Sequence, residues 1–124
     1  MKDEGGKELR DLRERTTDFA LRAIRLYQAL PRADGVAQVL GRQLLRSGTS
    51  VAAHYRETCR AKSNPDFVTK LEGALQELDE TDLWLELLGD AGTLKPSKVK
   101  PLRVEADELM AILVTIVRRI KERR

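Results

Sequence analysis

Ser47, Ser50 and His54 sit three and four apart along the stretch Gln43 to Phe67, so in a helix they share one face, and Glu57 follows in the same stretch. Hydroxyl, imidazole and carboxylate are the groups of nucleophilic and acid–base catalysis. The spacing supports neither. A carboxylate-bridged di-metal bundle needs a Glu-x-x-His pair on two helices, but the chain has one histidine, and His54-Tyr-Arg-Glu57 runs in the reverse order. Zinc needs a cluster of His and Cys ligands, and His54 with Cys59 is one of each, five residues apart. On a helix those two side chains point in different directions, and no loop offers an oxyanion hole. Gly5-Gly6 sits in a polar N-terminal stretch, while Gly48 and Gly73 are isolated, so no glycine-rich loop cradles a phosphate. Glu57, Glu77 and Glu80 read as capping or inter-helix hydrogen-bond partners. The sequence therefore predicts no enzyme, no metal and no cofactor. A site shared between subunits and lined by Arg46, His54 and Glu57 is the one place left for catalysis.

The same stretch says more about packing. Gly48, Val51, Ala52 and Tyr55 line the face beside Ser47, Ser50 and His54. Residues this small on a helix predict that another helix comes very close.

The elements that hold this stretch are legible from apolar periodicity. Residues 1–8 are polar and read as a flexible tail. Leu9, Leu12, Thr16, Phe19, Ala23, Leu26 and Leu30 form a single stripe, ended by Pro31 and the Asp34-Gly35 turn, which gives a first helix at 9–30. A second runs over 36–61. Ser63-Asn64-Pro65-Asp66 combines a capping side chain, an early proline and a first-turn acid. It starts a third helix at 64–89, in which Phe67, Leu71, Ala74, Leu78, Thr81, Leu85 and Leu88 repeat at alternating steps of four and three. Gly89 and Gly92 are read as its stop. The fourth, 98–122, carries Leu102, Ala106, Leu109, Leu113, Ile116 and Ile120 on one side. Four such helices with short connections predict an all-α, antiparallel up-down-up-down four-helix bundle in one domain. Trp84 reads as a packing anchor at a helix or subunit contact.

A turn near Lys62-Ser63 fixes the register of the second and third helices. It sets Arg46 beside Asp79 and Glu80, and Ser47 beside Leu78, and an Arg46–Glu80 pair across the hairpin is predicted. Charge is patterned along the 124 residues: 13 basic and 8 acidic groups in 1–62, 1 and 8 in 63–92, 9 and 4 in 93–124, for a net +3. The third helix is an acidic rod between basic neighbours. In an antiparallel bundle one end gathers Arg10, Arg13, Arg15, Arg56, Arg60, Lys62, Arg118, Arg119, Lys121, Arg123 and Arg124. That end is the candidate phosphate-contacting surface. No aromatic platform for stacked bases accompanies it, so contacts would be to backbone phosphate.

Lone Cys59 allows no intrachain disulfide and fits a reducing cytoplasm. No apolar leader is visible at the N-terminus, and the longest nearly apolar run, 109–117, is far shorter than the ~20 residues a membrane span needs.

Arg15-Thr16 with Phe19-Ala20, Gln43-Leu-Leu-Arg-Ser-Gly-Thr-Ser-Val-Ala-Ala53, Glu57, Ser63 with Asp66-Phe67, Glu80-Thr81 with Trp84-Leu85, and Glu105-Ala-Asp-Glu-Leu109 resemble together the bacterial four helix bundle proteins. These are also called the 23S ribosomal RNA intervening-sequence proteins. The resemblance covers about residues 15–121 and is most specific over Gln43–Glu57. His54 departs from it, since many members carry Asn there. The resemblance implies a four-helix bundle and a homo-oligomeric ring of five protomers. Distant relatives are accessory proteins of diversity-generating retroelements, which bind a reverse transcriptase and nucleic acid. Such a ring would occupy the small face of the second helix and the acidic third helix, and would repeat the basic end around its axis. Two functional expectations follow: a non-enzymatic oligomer binding structured RNA or DNA, or a protein–protein scaffold that binds no nucleic acid. In either, Gln43, Arg46, Ser47, Ser50, His54, Glu57, Phe67, Glu80 and Trp84 are structural or interface residues.

Overall fold

The computed structural model describes the backbone of residues 2–123 and the side chains of 6–123. Four helices account for nearly all of it: α1 (Lys2–Gln28), α2 (Gly35–Cys59), α3 (Asn64–Asp90) and α4 (Pro96–Glu122). Each packs against its two neighbours around a closed four-helix arrangement, and α1 and α4 touch least.

Local chemistry explains the boundaries. Asp34 caps α2 by accepting from the Ala37 N–H at 3.0 Å. Ser63 accepts from the Asp66 N–H at 3.2 Å, and the Asp66 carboxylate accepts from the Lys62 N–H at 3.1 Å, so two free donors at the start of α3 are satisfied. α1 and α2 each end two residues before the sequence predicts. Ala29, Leu30, Arg60 and Ala61 turn out through tighter i→i+3 bonds, and Pro31 disfavours helical geometry at the residue before it. α1 begins at Lys2, so its backbone is helical through Gly5-Gly6, ahead of the apolar stripe. Gly89 is no stop. It lies inside α3 under Val99, and Gly92, at φ 76°, takes the left-handed turn instead. α4 starts at Pro96, and Pro101 lies inside it. The bond Pro101 cannot donate would go to the Ser97 carbonyl, on an exposed first turn where water can replace it.

The core is aliphatic. Leu71, Ala74, Leu78, Thr81, Leu85 and Leu88 of α3 meet Leu44, Val51 and Tyr55 of α2 and Leu102, Ala106, Leu109 and Leu113 of α4, all at most 2% exposed. Phe19 and Ala23 close it from α1. Toward its C-terminus the buried stripe of α4 moves to Val117, leaving Ile116 and Ile120 partly covered.

The small face of α2 is occupied within the chain. A methyl on Gly48 would lie 2.6 Å from Ala23 Cβ of α1, and one on Gly41 would strike Leu30 and Tyr27. Gly73 of α3 leaves room for the His54 ring, whose Nδ1 would sit 3.0 Å from an added methyl. The close helices that the small residues predict are therefore α1 and α3 of the same protomer, and the face is not free for a neighbouring subunit.

Candidate nucleic-acid interface and the polar seam of α2 and α3

The sequence-predicted site residues fall into two places: a seam between α2 and α3, and the end of the bundle where α1 and α3 begin and α2 and α4 finish.

In the seam, Arg46 Nη2 donates to Glu80 Oε1 at 2.8 Å, and its Nη1 to Glu77 Oε1 at 3.4 Å. The predicted pair is present, with Glu77 rather than Asp79 as the second acid. Arg46 is 50% exposed and Glu77 only 15%. His54 stands between Glu57 and Glu77, with a ring nitrogen 3.7 Å from each. Beneath them, the buried hydroxyls of Ser47 and Thr81 are 2.8 Å apart. Thr81 also lies 2.7 Å from the Glu77 carbonyl. One hydroxyl carries one proton, so with Thr81 donating to that carbonyl, Ser47 donates to Thr81. Ser47 thus faces Thr81, three residues beyond the predicted Leu78. Gln43 Oε1 lies 3.5 Å from Arg46 Nε. Ser50 is half-buried along the same line, and Phe67 packs partly buried against the core. Trp84 also packs there, its indole N–H shut off from solvent with no hydrogen-bond partner. Arg46, His54, Glu57, Glu77 and Glu80 and the Ser47 and Thr81 hydroxyls each face a partner within the seam. Among the described residues no set of three or more His, Cys, Asp or Glu side chains could hold a metal ion.

At the bundle end the basic residues share a level but not a side. Arg10, Arg13 and Arg56 line one groove of about 550 Å³ between α1 and α2, with Glu14, Thr17, Asp18 and Leu21. Arg118 and Lys121 lie between α3 and α4, where Lys121 Nζ pairs with Glu72 at 3.2 Å. Arg119 lies with Glu8 between α4 and α1. Arg60 and Lys62 are exposed at the α2–α3 turn, and Arg123 follows α4. Arg124 lies outside the described residues. Arg10, Arg13 and Arg56 have no acid within ion-pair distance among the described residues, so their charge is available.

Two ion-pair sets were not foreseen from sequence. Arg15 bridges α1 to Glu105 (2.7 Å) and Glu108 (3.3 Å) of α4. Its hydrogen bonds to Glu105 hold the guanidinium charged more firmly than usual, against the effect of burial. Arg103 of α4 grips Asp82 of α3 at 2.8 Å, with the same consequence and the same leading cause. Both could have been found by extending the hairpin register to the other two helix pairs.

The sequence pattern of the 23S rRNA-intervening sequence proteins matches residues 10–115. The chain belongs to that family. A crystal structure of a protein of unknown function from the S23 ribosomal protein family of Bacteroides thetaiotaomicron VPI-5482 superposes with a TM-score of 0.82. It is 33% identical, over 89% of this chain and 97% of that one. No functionally curated protein matches the chain. No helix among the described residues is long and apolar enough to cross a membrane.

Proposed function

We propose that this family member is a non-enzymatic, cytoplasmic, self-associating bundle that binds structured RNA or DNA by its phosphates, with the α1–α2 groove as the main contact. One observation carries the reading: Arg10, Arg13 and Arg56 line one groove, and among the described residues no acid lies within ion-pair distance of any of them. The other cations of that end are committed to Glu72, set beside Glu8, or spread over separate sides. Three guanidinium groups make a weak site alone. Repetition around a homo-oligomer, the ring of five that the family resemblance implies, would raise the affinity by avidity. Contacts of this kind position a backbone and read little sequence.

The test is binding to duplex DNA and to hairpin RNA across a salt series, with native mass taken on the same samples. Three neutralised phosphates give a log–log slope of about −2.7 per protomer on a duplex. Arg10→Gln/Arg13→Gln/Arg56→Gln should remove that slope and leave the mass unchanged. An oligomer indifferent to both nucleic acids leaves the scaffold reading. Loss of the oligomer on neutralising Arg118, Arg119, Arg123 and Arg124 would assign those charges to subunit contacts.

A further inference from the structure

The α1–α2 groove holds charge of both signs, sorted along its length. Arg10, Glu14, Asp18 and Leu21 follow one another at steps of four, four and three, so α1 presents them on one face, with Arg13 beside them. Tyr55 donates to the Leu9 carbonyl at 3.2 Å, which sets Arg56 of α2 level with Arg10 and Arg13. The three cations therefore occupy one end of the groove. Glu14 and Asp18 follow about 6 and 12 Å along the helix axis from Arg10. Leu21, 43% exposed, comes after them. The two sets do not neutralise each other. Glu14 has no cation within ion-pair distance among the described residues, and Asp18 has only Arg22, at 4.0 Å and outside the groove.

That order decides what can lie in the groove. A duplex strand carries a phosphate about every 3.4 Å along its axis. Laid along α1, it would set phosphates against Arg10 and Arg13 and the next ones against Glu14 and Asp18, so a duplex is restricted to crossing the basic end. A single nucleotide turned out of its stack meets both halves. Its phosphate lies on the arginines, and its base reaches the acids. Carboxylates accept hydrogen bonds and do not donate them, which selects bases with amino groups: cytosine, adenine and guanine. Guanine fits best, because its N1–H and N2–H lie parallel on one edge and meet both oxygens of one carboxylate. Uracil has no amino group. In a duplex that edge is already paired, whereas a loop or bulge leaves it open. Leu21 offers the base an apolar surface, and about 550 Å³ is room enough. We infer that the α1–α2 groove takes an unpaired guanine nucleotide of a structured nucleic acid, its phosphate on Arg10, Arg13 and Arg56 and its base edge on Glu14 and Asp18. The inference rests on the phosphate-binding reading of the same arginines and adds base selection to it.

The probes are RNA hairpins of one stem whose uridine loop carries a single guanosine, inosine or uridine at its centre, together with the stem alone as a duplex, titrated against the intact protein. The parent should bind the guanosine loop roughly tenfold tighter than the uridine loop, with inosine, which lacks the 2-amino group, between them. Glu14→Ala/Asp18→Ala removes two negative charges from the groove, so charge alone would tighten the binding of every probe. Base recognition predicts opposite signs: the duplex binds tighter, and the guanosine loop binds weaker and loses its advantage. Both side chains are exposed, so circular dichroism and native mass should stay at the parent values. Equal binding of the three loops with a steep salt dependence overturns the base selection and leaves the phosphate reading standing. No salt-dependent binding of any probe removes both. A guanosine loop that binds the variant tighter also overturns the inference. So does guanosine monophosphate that displaces the hairpin at equal concentration, which would assign the groove to a free nucleotide.

Discussion

Gly48→Ala adds one methyl group where α2 lies close against α1. The new carbon would lie 2.6 Å from Ala23 Cβ, against an ordinary contact of ~3.5–4.0 Å. Ala23 Cβ is fixed to the α1 backbone and cannot swing aside, so α1 and α2 must separate by about 1 Å. Overpacking of this kind costs about 1–3 kcal/mol, and the better helix propensity of alanine returns about 1 kcal/mol. The expected net loss is about 0–2 kcal/mol, or up to roughly 8 °C in Tm for a chain of this length. Gly35→Ala is the control, since nothing lies within 4 Å of an added methyl there; it should be neutral or slightly stabilising. The decisive variant is Gly48→Ala on an Ala23→Gly background. There the methyl refills the space it would otherwise invade, and the substitution should become favourable. Urea unfolding of all four proteins closes the cycle, with an expected coupling of about 2–3 kcal/mol. A neutral Gly48→Ala with no coupling to Ala23 would refute the close approach. A change in native mass with no loss of protomer stability would return the small face to a neighbouring subunit.

Thr81→Val should cost about 1–2 kcal/mol, because it strands the buried Ser47 hydroxyl with only the Leu44 carbonyl, 3.4 Å away; the Ser47→Ala/Thr81→Val double variant should be more stable than the summed losses imply. Arg46→Met should lower stability by no more than about 1 kcal/mol, since the guanidinium is half exposed and the pair is screened; a larger loss, or a changed native mass, would give Arg46 a role beyond holding the seam. Tyr55 is buried, and burial, the leading cause, raises its phenol above the ordinary value. The folded state thus favours the protonated phenol. Its contribution is complete below the unfolded value of ~10 and is lost as pH rises beyond it, by up to about 1.4 kcal/mol per unit. Tyr55→Phe removes the hydroxyl that donates to the Leu9 carbonyl at 3.2 Å; it should flatten the alkaline decline in denaturation midpoints between pH 9 and 11 relative to the parent.

Much of the fold was legible because local and long-range signals agree. The buried repeat from Leu71 to Leu88 sets the face of α3, Ser63 and Pro65 set its start, and the short turn before them sets the register that brings Arg46 to Glu80. The close approach around Gly48 was legible too, though its occupant was not: small residues say that something comes near, and only the rotation of α1 shows that it is Ala23. The candidate interface was legible along the bundle axis alone. Topology places the basic residues at one end. Which side each takes depends on rotation about each helix, and that rotation sends Arg118 and Arg119 to separate grooves while Arg10, Arg13 and Arg56 converge. The start of α4 was placed two residues late because Lys95-Pro96-Ser97 reads as a loop, whereas Pro96 opens the helix at a position whose N–H has no intrahelical partner to lose.

The measurement that bears most directly on the proposed function is the salt dependence of nucleic-acid binding by the parent and by Arg10→Gln/Arg13→Gln/Arg56→Gln, at equal native mass. The account predicts binding that falls steeply with salt in the parent and is lost in the variant. Undiminished binding by the variant, or no binding by the parent at low salt, would contradict it.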